Sequence, residues 1–175
     1  MRYGGVRLVR VPFTTADWKR LPEGYPAQLI DGRLVREPSP TYGHQDVVGR
    51  IYVLLVGLLG HGRVVLSPAD VVLDRLNVLQ PDVCVLRETP PRDAHDVGIP
   101  LVAFEVLSPA TRRRDRSVKA TKLLAAGVEE VWLVDPVRRT VEVRTARGPT
   151  FARGEETARS TALPGIGLSP SSLVR

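Results

Sequence analysis

The stretch Leu101–Leu107, LVAFEVL, restricts the fold of this chain more than any other. Side chains alternate between the two faces of a strand, so Ala103, Glu105 and Leu107 share one side and Val102, Phe104 and Val106 the other. Both sides are apolar except for Glu105. A strand of that kind belongs inside a sheet that is covered on each face. The next segment, RRDRSVKATKLLAAGV, has helical spacing with Gly127 as its stop, and EEVWLVDP after it is a second apolar strand ending in a turn at Asp135-Pro136. Strand, helix and strand in this order predict a parallel pair joined by a right-handed crossover.

The remaining segments fit around that unit. FTTADWKRLPEG predicts a short helix capped by Thr14 or Thr15 and stopped by Pro22 and Gly24, and AQLIDGRLVRE a hairpin turning at Asp31-Gly32. Val47, Val48, Ile51, Leu54, Leu55 and Leu58 recur at helical spacing and mark the clearest helix, with His44 one turn earlier on the same inward face. From Arg63 the period shortens: RVVLSP, ADVVLD and VLQPDVCVL read as successive strands, and RTVEVRTA as one more after EEVWLVDP. TALPGIGLSPSSLV reads as an extended tail ending in a helical turn. The expected class is α/β (α+β), a mixed central sheet flanked by helices with extra N-terminal hairpins. No repeat or linker divides residues 1–175, so one domain is expected.

Composition narrows the setting. The chain has 175 residues, 43% of them hydrophobic and 25% charged, enough to bury a core. No apolar run approaches the ~20 residues of a membrane span, and MRYGGVRLVRVPFTT lacks the unbroken apolar stretch of a secretory signal. Cys84 is the single cysteine and reads as a core residue; a reducing, cytoplasmic setting without membrane contact is expected. The net charge of +6 and pI near 10.1 suit a polyanionic partner, and suit equally a protein from an arginine-rich proteome. There is no zinc-ligand spacing, recognition helix or aromatic stacking motif, so no signal for reading a base sequence.

The acids carry the chemistry. A lone buried carboxylate calls for a partner or a cation. In QPDVCVL, Gln80, Asp82 and Cys84 share a face, and if this strand neighbours LVAFEVL then Asp82 and Glu105 converge. With nearby main-chain carbonyls, such as that of Val106, they would make a hard-oxygen site suited to Mg²⁺ or Mn²⁺. The plainer alternatives are an arginine partner for Glu105 and a turn-capping role for Asp82. Just beyond lie Arg112, Arg113, Arg114, Arg116, Lys119 and Lys122. The arginines stand at the positive end of a helix, an arrangement that a bound anion would relieve, although such a run also serves to solvate a helix start. Ser108 and Thr111 are candidate caps, and no base stands near Ser108 to make it a nucleophile.

QPDVCVL, LVAFEVLSPATRRRD…K and AGVEEVWLVDP, with IDGRLV…PSPTYGHQDVVGRI upstream and LPGIGL near the end, resemble the Uma-two family of bacterial restriction-endonuclease-like proteins, in the PD-(D/E)XK nuclease superfamily, from about Leu29 to Leu168. The resemblance implies a restriction-endonuclease-like core and Mg²⁺-dependent hydrolysis of phosphodiester bonds in DNA, with Asp82 and Glu105 as metal ligands. The superfamily's lysine, two residues past the acid, is Leu107 here; members that carry it on the following helix imply Lys119 as the catalytic lysine, with Lys122 as the substitute. The alternative for Lys119 is an i,i+4 ion pair with Asp115. Gln28 stands where relatives commonly carry glutamate, and Leu123 where tyrosine is frequent. His44 matches a family histidine, and His44, Gln28 and Gln80 are expected site neighbours. In the implied mechanism Lys119 positions or deprotonates a water, and Arg112, Arg113, Arg114, Arg116 and Lys122 meet the phosphate backbone. The rivals are a nucleic-acid-binding or interaction module with a decayed metal site, and a purely structural homodimer; a homodimer is the expected assembly.

Overall fold

The computed structural model describes residues 11–22, 24–109 and 112–173; the first residues and Thr111, read above for a signal and a cap, lie outside them. Helix α1 (Thr15–Trp18) begins in a capping box in which the Thr14 hydroxyl accepts from the Asp17 N–H and the Asp17 carboxylate accepts from the Thr14 N–H. Strands β1 (Ala27–Ile30) and β2 (Arg33–Arg36) turn at Asp31 and Gly32, with φ of +49° and +68°. Two consecutive positive φ values give the turn whose twist matches a hairpin. Glycine is required there also by packing, since a Cβ on Gly32 would lie 2.5 Å from the Pro12 Cβ.

Helix α2 (Tyr42–Leu59) buries Val47, Val48, Ile51 and Leu55. Leu54 and Leu58, grouped with them on spacing, are 37% and 59% exposed, because the apolar arc of the helix is wider than the face the sheet covers. After it come β3 (Val64–Leu66), β4 (Val71–Asp74), β5 (Asn77–Leu79), β6 (Val83–Val85) and β7 (Val102–Val106). The second helical segment winds as α3 (Arg112–Arg114), a π-helical turn (Asp115–Lys119) and α4 (Ala120–Ala125), and stops at Gly127, φ +101°. Strands β8 (Glu130–Asp135), β9 (Thr140–Thr145), β10 (Gly148–Arg153), β11 (Ala158–Arg159), β12 (Gly167–Leu168) and helix α5 (Pro170–Leu173) complete the chain.

A six-stranded sheet in the order β10-β9-β8-β7-β6-β3 is antiparallel except for the β7–β8 pair. The strand–helix–strand unit thus forms its parallel pair, and β7 lies inside the sheet. One face, including Val102, Phe104, Val106 and Trp132, packs with Val47, Val48, Ile51 and Leu55 of α2. The other, with Ala103, Leu107 and Leu133, packs with Ala120 and Leu123 of α4. Each large aliphatic side chain buried this way contributes about 1.5–3 kcal/mol. Cys84 sits in that second layer as a core residue, and burial pushes its thiol far up, away from the reactive thiolate.

Two expectations need correction. VLQPDVCVL is not one strand: β5 belongs to a second sheet, ordered β2-β1-β5-β4, and only β6 joins the large one. The break has a local cause. Pro81 has no N–H, the Gln80 N–H donates to the Gln28 side chain (2.9 Å), and the Asp82 carbonyl accepts from Ser67 (3.0 Å). Strand β10 gave no sequence signal because it is an edge strand that opens with Gly148-Pro149 and buries only Ala152. Among the described residues no helix is long and apolar enough to cross a membrane.

Candidate functional site

Strands β6 and β7 pair with Val83 opposite Phe104 and Cys84 opposite Ala103. Carried one residue further, this register sets Asp82 across from Glu105. Asp82 lies just before β6 and is fastened to the end of β7, where its Oδ2 accepts from the Val106 N–H at 2.7 Å. His44, projecting from the first turn of α2, brings Nε2 to 3.4 Å from the same oxygen. Hydrogen bonding to Asp82 raises the His44 pKa, as do the Asp82 charge and the Val106 backbone, and together they outweigh its burial. The side chain is therefore a partly buried cation over a wider pH range than a free imidazole.

Glu105 is 2% exposed, and the cation it needs is Lys119, itself 3% exposed. The Lys119 Nζ lies 2.7 Å from Oε1 and 2.8 Å from Oε2. It also donates to the Gln80 carbonyl (3.5 Å) and stands 3.9 Å from Asp115 Oδ1. The i,i+4 contact with Asp115 is thus the looser of the two. Burial alone would strip the charge from the amine, but the Glu105, Asp115 and Asp82 carboxylates overcome it and hold Lys119 protonated above its ordinary value. Burial, which favours the neutral acid, raises the Glu105 carboxyl well above its ordinary value, and Lys119 offsets only part of that rise.

A shell of side chains closes around the pair. The Gln80 N–H donates to Gln28 Oε1 (2.9 Å), Gln28 Nε2 to Glu37 Oε1 (2.7 Å), and Arg114 Nη2 to Glu37 Oε2 (2.7 Å). The Gln80 amide donates to Asp70 (2.8 Å), which also accepts from the Trp18 indole (2.6 Å). Asp82, Glu105, Lys119, His44, Gln28 and Gln80 are therefore brought together. Glu37 was missed by sequence reasoning: it sits just past β2 without a motif, and only the hairpin carries it beside Gln28.

The basic run is placed differently. Arg112 Nε is 3.2 Å from Asp135, Arg114 binds Glu37, and Arg116 Nη2 is 2.5 Å from Glu142, which Arg144 also contacts at 2.6 Å. These arginines hold the start of the helix to the segment just past β2, to the end of β8 and to the middle of β9. Arg113 is exposed, and no carboxylate among the described residues pairs with it. Lys122 Nζ meets Asp31 at 2.6 Å on the hairpin turn, whereas the amine on Glu105 is that of Lys119.

Among the described residues no group of three or more His, Cys, Asp or Glu side chains is placed to hold a metal ion. The set implied by resemblance uses two carboxylates and one main-chain carbonyl, and its chemistry fits a hard divalent cation. Two protein cations, Lys119 and His44, already sit on those carboxylates. Glu105 Oε1, fully buried, finds no well-aligned hydrogen-bond donor although the ammonium is close.

The family model Uma2, described as "Putative restriction endonuclease", matches residues 15–171. A crystal structure from Anabaena variabilis, described as that of a putative nuclease belonging to DUF820, aligns with a TM-score of 0.79 at 19% identity, covering 93% of this chain and 97% of its own. At that identity the likeness is one of fold. No curated protein gives a significant match. Running from α1 into α5 and taking in every residue of the Asp82–Glu105–Lys119 cluster, the family match makes this protein a member of the Uma2 family.

Proposed function

We propose that this protein is a divalent-metal-dependent endonuclease that hydrolyses phosphodiester bonds of DNA, and that residues 1–175 form the one domain that does so. The observation that carries the reading is a buried lysine amine, delivered from a helix, that lies 2.7 Å from a strand carboxylate beside a second carboxylate. Family membership supports a nucleic-acid substrate, and nucleases of this type typically use a divalent metal.

Asp82 and Glu105, with the Val106 carbonyl, would hold Mg²⁺ or Mn²⁺. When bound, such a cation supplies Lewis-acid polarisation of a phosphoryl oxygen and lowers the pKa of a water. The protein's own groups do the rest. Lys119 is a three-proton donor held in a dry site, able to orient the attacking water and to stabilise negative charge on the phosphoryl oxygens. His44 fixes the Asp82 carboxylate by binding its Oδ2, while the Val106 N–H holds the same oxygen from the strand side. Gln28 and Gln80 keep the carbonyl that faces Lys119 in place. Arg113 is the arginine of the run best placed to meet backbone phosphates, with the half-exposed edges of Arg112 and Arg116 beside it, and Lys122 further along the helix.

Nicking of supercoiled plasmid with Mn²⁺ tests this. The natural protein should cut, and Glu105→Gln and Lys119→Ala should each lose at least about 100-fold; if all three behave alike, the assignment is wrong. Gln28, neutral where relatives commonly carry an acid, favours a second reading: a DNA-binding module that retards DNA in a gel without cutting it. A cytoplasmic homodimer belongs to the same proposal. It is supported by the exposed apolar side chains Tyr42 and Val53, which lie along one line of α2, and a measured mass decides it.

A further inference from the structure

Asp115 is the one member of the cluster that the reading above leaves without a task. It is 3% exposed, yet its Oδ1 accepts no hydrogen bond from any described residue; Arg114 Nε stands 3.6 Å away and Lys119 Nζ 3.9 Å. A buried carboxylate oxygen without a donor is costly, so its retention asks for a reason. The local backbone is unusual as well. The helix widens to a π turn that begins at Asp115 and ends at Lys119, with the Ala120 N–H bonding back to the Asp115 carbonyl. Such turns are rare and occur frequently at functional sites.

The geometry at Glu105 supplies the reason. Lys119 Nζ lies within 2.8 Å of both carboxylate oxygens, so a divalent cation cannot take Glu105 while the ammonium stays where it is. Driving that ammonium off with nowhere to go would leave a buried, unpaired charge. Asp115 offers it somewhere to go. Closing 3.9 Å to the ~2.8 Å of a charge-assisted hydrogen bond takes a shift of roughly 1 Å at the end of a flexible side chain. Arg114, whose Nη2 is held 2.7 Å from Glu37 on the hairpin side, keeps its Nε 3.6 Å from Asp115 Oδ1, beyond hydrogen-bond reach, so the acceptor stays open.

We propose that Asp115 is a positioning residue, the alternate seat of the Lys119 ammonium, which receives the amine when a divalent cation occupies Glu105. This rests on the metal-dependent reading above and deepens it. Loading the site is an exchange of partners: the ammonium leaves Glu105 for Asp115, and the cation replaces it on Glu105. The amine keeps a carboxylate partner in both arrangements.

The experiment is calorimetric titration of the metal-free protein with Mn²⁺ alone, with no nucleic acid present, for the natural chain, Asp115→Asn, Lys119→Gln and the double variant. Loss of a residue that acts through a metal ligand's partner weakens affinity about 10- to 100-fold, and Asp115→Asn should fall in that range. In the Lys119→Gln background the same change should alter affinity by less than about twofold, since no ammonium needs a seat. Undiminished weakening in that background would make Asp115 a ligand or a structural buttress and overturn the proposal, as would an Asp115→Asn protein that binds like the natural one. Failure of the natural chain to bind Mn²⁺ at all would overturn the metal-dependent reading and this inference together. Should Asp115→Asn not fold, Asp115→Glu retains the carboxylate and is expected to stay within about threefold of the natural affinity; a tenfold loss there counts against the proposal.

Discussion

Replacing Lys119 by methionine keeps most of the side-chain volume and removes the ammonium, so it isolates what the ion pair does for stability. At 2.7 Å and an effective dielectric of about 20, the attraction to Glu105 is roughly 6 kcal/mol. Part of that is recovered because the orphaned carboxylate can take up a proton, and removing one partner of a buried pair costs about 3–5 kcal/mol. At about 2–4 °C per kcal/mol for a chain of this size, the midpoint of thermal unfolding should fall by roughly 6–20 °C. The pH dependence is the sharper signature. Burial raises the Glu105 pKa, and without Lys119 nothing of comparable strength pulls it down. A raised folded-state value means protonation favours folding. The stability of Lys119→Met is then highest below the ordinary glutamate value, about 4.3, and is lost as pH rises through the folded value. Unfolding in urea with EDTA, followed by tryptophan fluorescence from pH 5 to 8, should show the gap to the natural protein widening as pH rises. Glu105→Gln combined with Lys119→Met should recover most of the loss. A deficit under about 1 kcal/mol at pH 8, or one that does not change with pH, would refute the argument.

Glu130, 1% exposed, accepts from Ser160 Oγ (2.6 Å), the Thr161 N–H (2.6 Å) and hydroxyl (2.7 Å), the Ala162 N–H (2.9 Å) and the Trp132 indole (2.9 Å). Glu130→Gln turns an amide donor toward these donors and should cost about 3 kcal/mol, with faster hydrogen exchange at Thr161 and Ala162. Burial pushes the Glu130 carboxyl up, but those hydrogen bonds prevail and hold it below its ordinary value. Its contribution is present above about pH 4.3 and is lost as pH falls through the folded value, so the acid transition of Glu130→Gln should be flatter. Gly32→Ala combines a positive φ of +68° with a Cβ 2.5 Å from Pro12, and a melting curve should show a loss of at least about 1–2 kcal/mol.

Much of the framework was legible along the chain. LVAFEVL admits only an interior strand, and β7 lies there. Asp31-Gly32 specifies its hairpin, and the helical spacing around Val47 and Ile51 specifies the buried face of α2 with His44 above it. What the residues do not show along their length is how charges pair across space. Arg112, Arg114 and Arg116 read as one solvent-facing or phosphate-facing run, yet they meet Asp135, Glu37 and Glu142, carboxylates on three different segments. The division of VLQPDVCVL between two sheets depends on the Gln28 side chain, which reaches Gln80 only once both hairpins are assembled. Asp115 likewise looks like an ordinary helix partner of Lys119 until Glu105 is seen to hold the same ammonium more closely. Sterics and side-chain period act between neighbours, so a sequence expresses them directly and by itself determined the strands, helices and turns that frame this protein. Which acid takes which base is set by distances and burial that exist only after the segments pack, and that choice the tertiary structure alone decided.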